Sequence, residues 1–220
     1  MKWEMTESLE DLIALREAER RRLLAAALEE VPFEGWSRRA LTQGAVALGL
    51  PAVDADRLFP GGPAEAIEFW NAEADQAVLD AFASAENPPL RVRDKVAFGV
   101  RARLEPLFPH REAVRRGLTL MALPQNASMA ATLLYRTVDT IWHGAGDTST
   151  DWNFYSKRGL LAGVYTTTLL HWLDDGSEGC ADSWAFLDRR IDNVMGLPRA
   201  LGQIQNRLKA GLRPLFRPAR

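Results

Sequence analysis

From Asp151 to Trp172 the chain places Trp152, Phe154, Tyr155, Leu160, Leu161, Val164, Tyr165, Leu169, Leu170 and Trp172 on nearly every side of a helical wheel. A helix without a polar face is usually central to its domain, with other elements packed around it. Such an element calls for a helical protein large enough to surround it. Gly159, Ala162 and Gly163 in the same segment allow close approach by a neighbouring helix, or leave room for a ligand. The most apolar window, Gly159 to Leu173, is too short and too rich in threonine to span a bilayer.

The rest of the chain reads as helix as well. Strand-type alternation is weak everywhere and helical spacing recurs. Ser8 precedes a first helix to about residue 30, with Leu12, Leu15, Leu23, Leu24 and Leu28 as its apolar positions. A short helix follows Trp36, and the turn Leu48-Gly49-Leu50-Pro51 leads to another at about 53–59. Gly61-Gly62-Pro63 opens a longer helix to about residue 86, proline being favourable in a first turn. After the Asn87-Pro88-Pro89 break, helices are expected near 90–105, 110–121, 125–143, 151–174, 180–195 and 199–213. The fold class expected is all-α, with about nine or ten helices around one core. Residues 1–60 form a helix-turn-helix-like subdomain in this reading, 61–196 a helical core and 197–220 a basic amphipathic tail.

The net charge of −2 is unevenly distributed. Residues 1–90 hold eight Lys and Arg against seventeen Asp and Glu, whereas 193–220 hold six cations and no acid. Helix, short helix, glycine-containing turn and short helix make the helix-turn-helix pattern. The run from Leu23 to Ile67 resembles the start of a tetracycline-repressor-type regulator. The resemblance implies a helix placed to enter a DNA groove, but that helix would present Asp54 and Asp56 against one Arg57. Phosphate contacts supply most non-specific affinity for DNA, and carboxylates oppose them. No nucleic-acid partner is therefore expected, and a ligand-responsive transcription regulator of the same fold stands as the alternative.

Trp184, Leu187, Ile191 and Val194 recur at helical spacing, a stripe that docks either on the protein's own core or on a second chain. Phe186, Arg189 and Arg190 lie off the stripe; a large aromatic away from a core face marks a partner surface. Near the end, Leu201, Ile204, Leu208, Leu212 and Leu215 form one apolar stripe, flanked by Lys209, Arg213 and Phe216. This is the pattern of an interfacial helix on an anionic membrane. Each cation near such a surface contributes about 1 kcal/mol and each buried Leu or Ile roughly 1.5–3 kcal/mol. Gly202, Gly211 and Pro214 lower its intrinsic helicity.

Catalytic patterns are missing. His110, His143 and His171 are the three histidines, and no Glu-x-x-His pair exists to build a di-iron carboxylate site. Asp139 with His143, and His171 with Asp175, supply two groups each, too few to close a metal site. No nucleophile elbow or phosphate loop occurs. The single Cys180 excludes an internal disulfide. No metal, no cofactor and no enzymatic activity are expected. The first thirty residues contain eight acids and no signal-type apolar run, so no targeting segment is expected there.

Three motifs carry a more specific resemblance: Asp151-Trp152-Asn153-Phe154-Tyr155-Ser156-Lys157-Arg158, Leu161-Ala162-Gly163-Val164-Tyr165 and Asp182-Ser183-Trp184-Ala185-Phe186-Leu187-Asp188-Arg189-Arg190. In order and spacing they resemble the accessory lipid-binding proteins of ubiquinone biosynthesis, the ninth of the coenzyme-Q biosynthesis proteins, in a bacterial form. The resemblance implies a repressor-like fold and a non-enzymatic protein that binds an isoprenoid or other lipid. It also implies a homodimer that docks to the di-iron demethoxyubiquinone hydroxylase. By that resemblance Asp182, Trp184, Leu187 and Arg190 fall on the hydroxylase surface. Candidate walls of the lipid pocket are Met121, Met129, Leu133, Trp142, Tyr155, Leu169 and Trp172. The expected location is cytoplasmic, peripheral on the cytoplasmic face of the inner membrane.

Overall fold

The computed structural model describes residues 2–86, 89–148 and 152–194, with side chains from residue 9 and, after 148, from residue 155. Every regular element among the described residues is helical. In chain order the α-helices are α1 (Lys2–Glu34), α2 (Arg38–Ala47), α3 (Asp54–Leu58), α4 (Pro63–Ser84), α5 (Val92–Leu104), α6 (Arg111–Met121), α7 (Ala127–Gly144) and α8 (Trp152–Asp174), with short 3-10 turns at Glu105–His110, Pro124–Asn126 and Glu178–Cys180. A further helix, α9, occupies 181–194. The all-α expectation holds, and the breaks follow local chemistry. Gly35 adopts φ 65° after α1, and its N–H bonds the Val31 carbonyl at 2.9 Å, a left-handed cap that suits glycine. Ser37 then caps α2 by accepting from the Ala40 N–H. Pro63 sits in the first turn of α4.

α1 runs through Pro32, past the expected end near residue 30. Proline forfeits one helical hydrogen bond there, but Leu24, Leu28 and Val31 bury against the neighbouring helices and hold the turn. α1 and α2 pack so closely that a Cβ on Gly44 would lie 2.7 Å from the Ala27 backbone nitrogen.

Two apolar clusters fill the interior. Leu23, Ala27 and Val31 of α1 pack with Leu41, Leu58, Phe59 and Ile67, and this cluster recruits Ala113 and Leu133 from α6 and α7. The larger cluster joins Val78, Val100, Leu104, Ile141, Val164, Trp172 and Leu187. Trp70 of α4 packs against both.

Two sequence expectations need correction. Leu12 and Leu15 are 60% and 59% exposed rather than core: the first half of α1 extends clear of the helices that bury Leu23 and Leu24. Nor is α8 wrapped on all sides. Leu161, Val164, Tyr165, Leu169 and Trp172 face the core, whereas Tyr155, Leu160 and Leu170 are exposed. A Cβ on Gly159 or Gly163 would meet nothing within 4 Å. The α8 helix lies at the edge of the helical layer with an open, partly apolar face.

Among the described residues no helix is long and apolar enough to cross a membrane. The amphipathic stretch from Leu201 to Phe216 lies outside the described residues.

Candidate functional site

The apolar stripes of α4, α5, α6, α7 and α8 do not close completely. They leave a cavity of about 240 Å³ between the two clusters, walled largely by apolar side chains. Trp36 and Trp70 form one side, their rings 5.5 Å apart. Trp36 is fixed by its indole N–H, which donates to the Ala113 carbonyl at 2.9 Å. Ile67, Leu107, Val114, Leu133 and Leu169 are buried wall residues, while Leu118, Met121, Ala130 and Leu134 are half-buried and Thr166 is exposed. The cavity therefore opens between α6, α7 and α8. It exceeds the ~150 Å³ cavity that suffices for benzene in another protein.

One part of the lining is polar. Arg103, on the apolar face of α5, reaches Asp75 Oδ1 through Nε at 2.7 Å and Asn71 Oδ1 through Nη2 at 2.8 Å. Asp75 also accepts from the Thr137 hydroxyl at 2.9 Å and the Asn71 amide at 2.9 Å. Burial pushes the Asp75 carboxyl above its ordinary value, with Arg103 and Thr137 opposing it. Burial also raises the Tyr165 phenol. Arg103 Nη1 is buried with no hydrogen-bond partner. Arg103, Asn71, Thr137 and Tyr165 all line the cavity.

The seven expected pocket residues are not brought together. Met121, Leu133 and Leu169 line the cavity. Met129 packs against the first apolar cluster. Trp142 lines a separate cleft of about 300 Å³ with Val92, Val96, Leu161 and Val164. Trp172 is fully buried in the larger cluster, and Tyr155 is 68% exposed. Periodicity placed Trp172 and Tyr155 on one helix, but their wheel positions are about 100° apart, and only Trp172 turns into the core. The sequence reading missed Trp36, Trp70 and the polar group. The signal for the latter was present: Arg103 falls on the stripe Val96, Val100, Leu104 and Leu107, and Asp75 on the stripe Ile67, Ala74 and Val78.

On α9 the apolar stripe turns inward. Leu187 and Ile191 are core residues. Trp184 is 9% exposed, its indole N–H donates to the Gly179 carbonyl at 2.8 Å, and the Arg101 guanidinium lies 5.0 Å from its ring. Of the four residues that the resemblance placed on the hydroxylase surface, Trp184 and Leu187 are buried in the isolated chain. Asp182 and Arg190 are exposed. Beside them Phe186 stacks on His171, ring centroids 4.6 Å apart, with the Arg190 guanidinium 5.2 Å from the Phe186 ring.

Asp175 orients this helix. Its carboxylate accepts from the N–H and hydroxyl of Ser177 and from the N–H and hydroxyl of Ser183. Burial disfavours the charged form, but these four bonds outweigh it and hold the group below the ordinary carboxylate range. Asp139, which could have paired with His143 on a metal, instead accepts from Arg158 at 2.6 Å. Among the described residues no group of three or more His, Cys, Asp and Glu is placed to hold a metal ion.

The helix-turn-helix elements are present in reduced form. α3 has five residues. Its Arg57 bonds Asp54 at 2.7 Å and Glu19 at 3.2 Å, and Arg38 pairs with Asp56.

Comparison with known proteins agrees with the geometry. The TetR transcriptional regulator from Nitrosomonas europaea ATCC 19718 superposes with a TM-score of 0.67 at 20% identity, covering 81% of this chain and 98% of that one. The fold is thus TetR-like. The COQ9 family model matches residues 127–198, from α7 onward. "Ubiquinone biosynthesis protein COQ9, mitochondrial" of Rattus norvegicus is 36% identical over 191 residues, covering 84% of this chain and 61% of that protein. The chain thus spans about six tenths of the rat protein's length. "Ubiquinone biosynthesis protein COQ9-B, mitochondrial" of Xenopus laevis is 32% identical over 205 residues, covering 89% of this chain and 69% of that protein. With identity at this level along most of its length, the chain belongs to the COQ9 family.

Proposed function

We propose that this chain is a non-catalytic accessory protein of ubiquinone biosynthesis. It binds an isoprenoid quinone precursor and presents it to the demethoxyubiquinone hydroxylase at a membrane surface. The observation that carries this reading is the apolar cavity with two tryptophans on its wall, in a chain whose relatives are named for ubiquinone biosynthesis.

The physical task is to lower the free-energy cost of moving an insoluble molecule from bilayer to enzyme. The cavity substitutes protein contact for acyl chains at about 25 cal/mol per Å² of apolar surface kept from water. The basic stripe from Leu201 to Phe216 would hold the protein on an anionic surface. Asp182, Phe186, Arg189 and Arg190 form an amphipathic patch suited to a protein partner, with the Trp184 stripe behind it as support. The open face of α8, with Leu160 and Leu170 exposed and Gly163 between them, supports homodimer formation.

The TetR-like fold favours one second reading, a DNA-binding regulator. Two features weigh against it: α3 spans five residues, and both Arg38 and Arg57 are engaged by carboxylates. The test of the main reading is mass spectrometry of lipid extracted from protein purified without detergent. A co-purifying polyprenyl quinone or precursor is the expected result. An empty protein, or one holding only bulk phospholipid, overturns it.

A further inference from the structure

The apolar cavity has a polar floor that a purely hydrocarbon ligand would leave unused. Arg103 is 4% exposed, and Asp75 and Asn71 occupy its Nε and Nη2. Its Nη1 has no partner. A buried donor without an acceptor is a standing energetic penalty, larger when the group is charged. Tyr165, from the facing helix α8, supplies a phenol to the same lining. The lining residues nearer solvent, Leu118, Met121, Ala130 and Leu134, are apolar and half-buried, with the exposed Thr166 as the one polar side chain among them. Polarity is therefore deep, and the apolar wall continues to the mouth.

We infer that the cavity takes an amphiphile head first, with a neutral oxygen acceptor against Arg103 and Tyr165 and an apolar tail leaving between α6, α7 and α8. This deepens the proposed lipid-binding reading and rests on it. The acceptor is neutral because Asp75 already balances the Arg103 charge. A carboxylate or phosphate would bring a second negative charge beside Asp75 in a region of low dielectric, where like charges repel strongly. A carbonyl or hydroxyl on a ring satisfies the donor without that repulsion. The volume fits this division, since about 240 Å³ holds a substituted ring and a short stretch of chain. A longer tail must remain outside, in lipid or against a partner. The arrangement is the reverse of a tail-in carrier whose head stays in water.

The experiment compares three probes on the whole 220-residue chain: decylubiquinone, decylbenzene and decanoate. Binding is read by titration calorimetry and by quenching of tryptophan fluorescence, since Trp36 and Trp70 line the cavity. The wild-type protein is expected to bind decylubiquinone about tenfold or more tightly than decylbenzene, the range for a hydrogen bond to a charged donor, and more tightly than decanoate. Tyr165→Phe removes one hydroxyl and is expected to weaken decylubiquinone about three- to tenfold while leaving decylbenzene unchanged. Arg103→Met is made together with Asp75→Asn, so that no unpaired carboxylate is buried, and is expected to abolish the preference for the quinone. If that double variant does not fold, as judged by circular dichroism, Tyr165→Phe decides alone. Unchanged decylubiquinone affinity in the variants overturns the head-first arrangement while leaving lipid binding intact. Tighter binding of decanoate overturns the neutral acceptor. No binding of any probe by the wild type overturns both readings together.

Discussion

Replacing Trp184 with alanine separates a core residue from a docking residue. The side chain is 9% exposed, packs in the larger apolar cluster and donates to the Gly179 carbonyl at 2.8 Å. Truncating a buried tryptophan costs about 3–5 kcal/mol, from lost transfer energy and the cavity left behind. The Arg101 guanidinium, 5.0 Å from the ring, forfeits a further ~0.5–1 kcal/mol of cation–π attraction. Because the side chain is not fully buried, the lower ends apply, about 3.5 kcal/mol in total. For a domain of this size that corresponds to a fall in Tm of about 7–14 °C. Thermal and urea unfolding followed by circular dichroism at 222 nm measure it. Phe186→Ala is the control: Phe186 is half-buried and stacks on His171, so its loss is expected to cost about 1 kcal/mol. A Trp184→Ala variant with the wild-type midpoint would refute the reasoning and return Trp184 to the partner surface.

Three further outcomes are expected. Gly44→Ala gains about 1 kcal/mol of helix propensity, but its Cβ would lie 2.7 Å and 2.9 Å from Ala27 backbone atoms. Backbone cannot yield as a side chain does, so a net loss of about 1–3 kcal/mol is expected in urea unfolding. Asp175→Asn removes a carboxylate held below its ordinary value of 3.8 by four hydrogen bonds. A lowered native pKa contributes stability above the unfolded value and loses it as pH falls toward the native one. The variant should therefore be less stable than wild type at pH 7, with the gap narrowing below about pH 4; a pH-independent gap would show that the bonds do not depend on the charge. Leu208→Glu is expected to abolish flotation with phosphatidylserine-containing vesicles without lowering Tm, and unchanged flotation would remove the membrane contact from the proposal.

The helices were legible because their ends are written in local chemistry. The Gly35 cap, the Ser37 cap and Pro63 need no tertiary knowledge. What covers an apolar face is not local. Leu12 and Leu23 occupy one helix with the same residue type, yet one is exposed and the other buried. Periodicity likewise left the Trp184 stripe open between core and partner, and burial decided for core. The cavity was half legible. Met121, Leu133 and Leu169 were found because they are apolar residues on faces that converge. Trp36 was not, because it comes from the α1–α2 turn, far away in sequence. Arg103 and Asp75 could have been found as charges on apolar stripes. Their pairing across 28 positions requires the packed helices.

The cavity lies where the two apolar clusters meet, with Trp36 and Ile67 from one and Val114 and Leu169 from the other on its wall. A molecule in that gap is held jointly by both halves, so neither half can open without releasing it. Occupancy thus adds RT ln(1 + [L]/Kd) to the stability of the whole chain, and proteolysis samples the opened form. Under the proposed function, loaded protein is expected to resist proteolysis longer than empty protein.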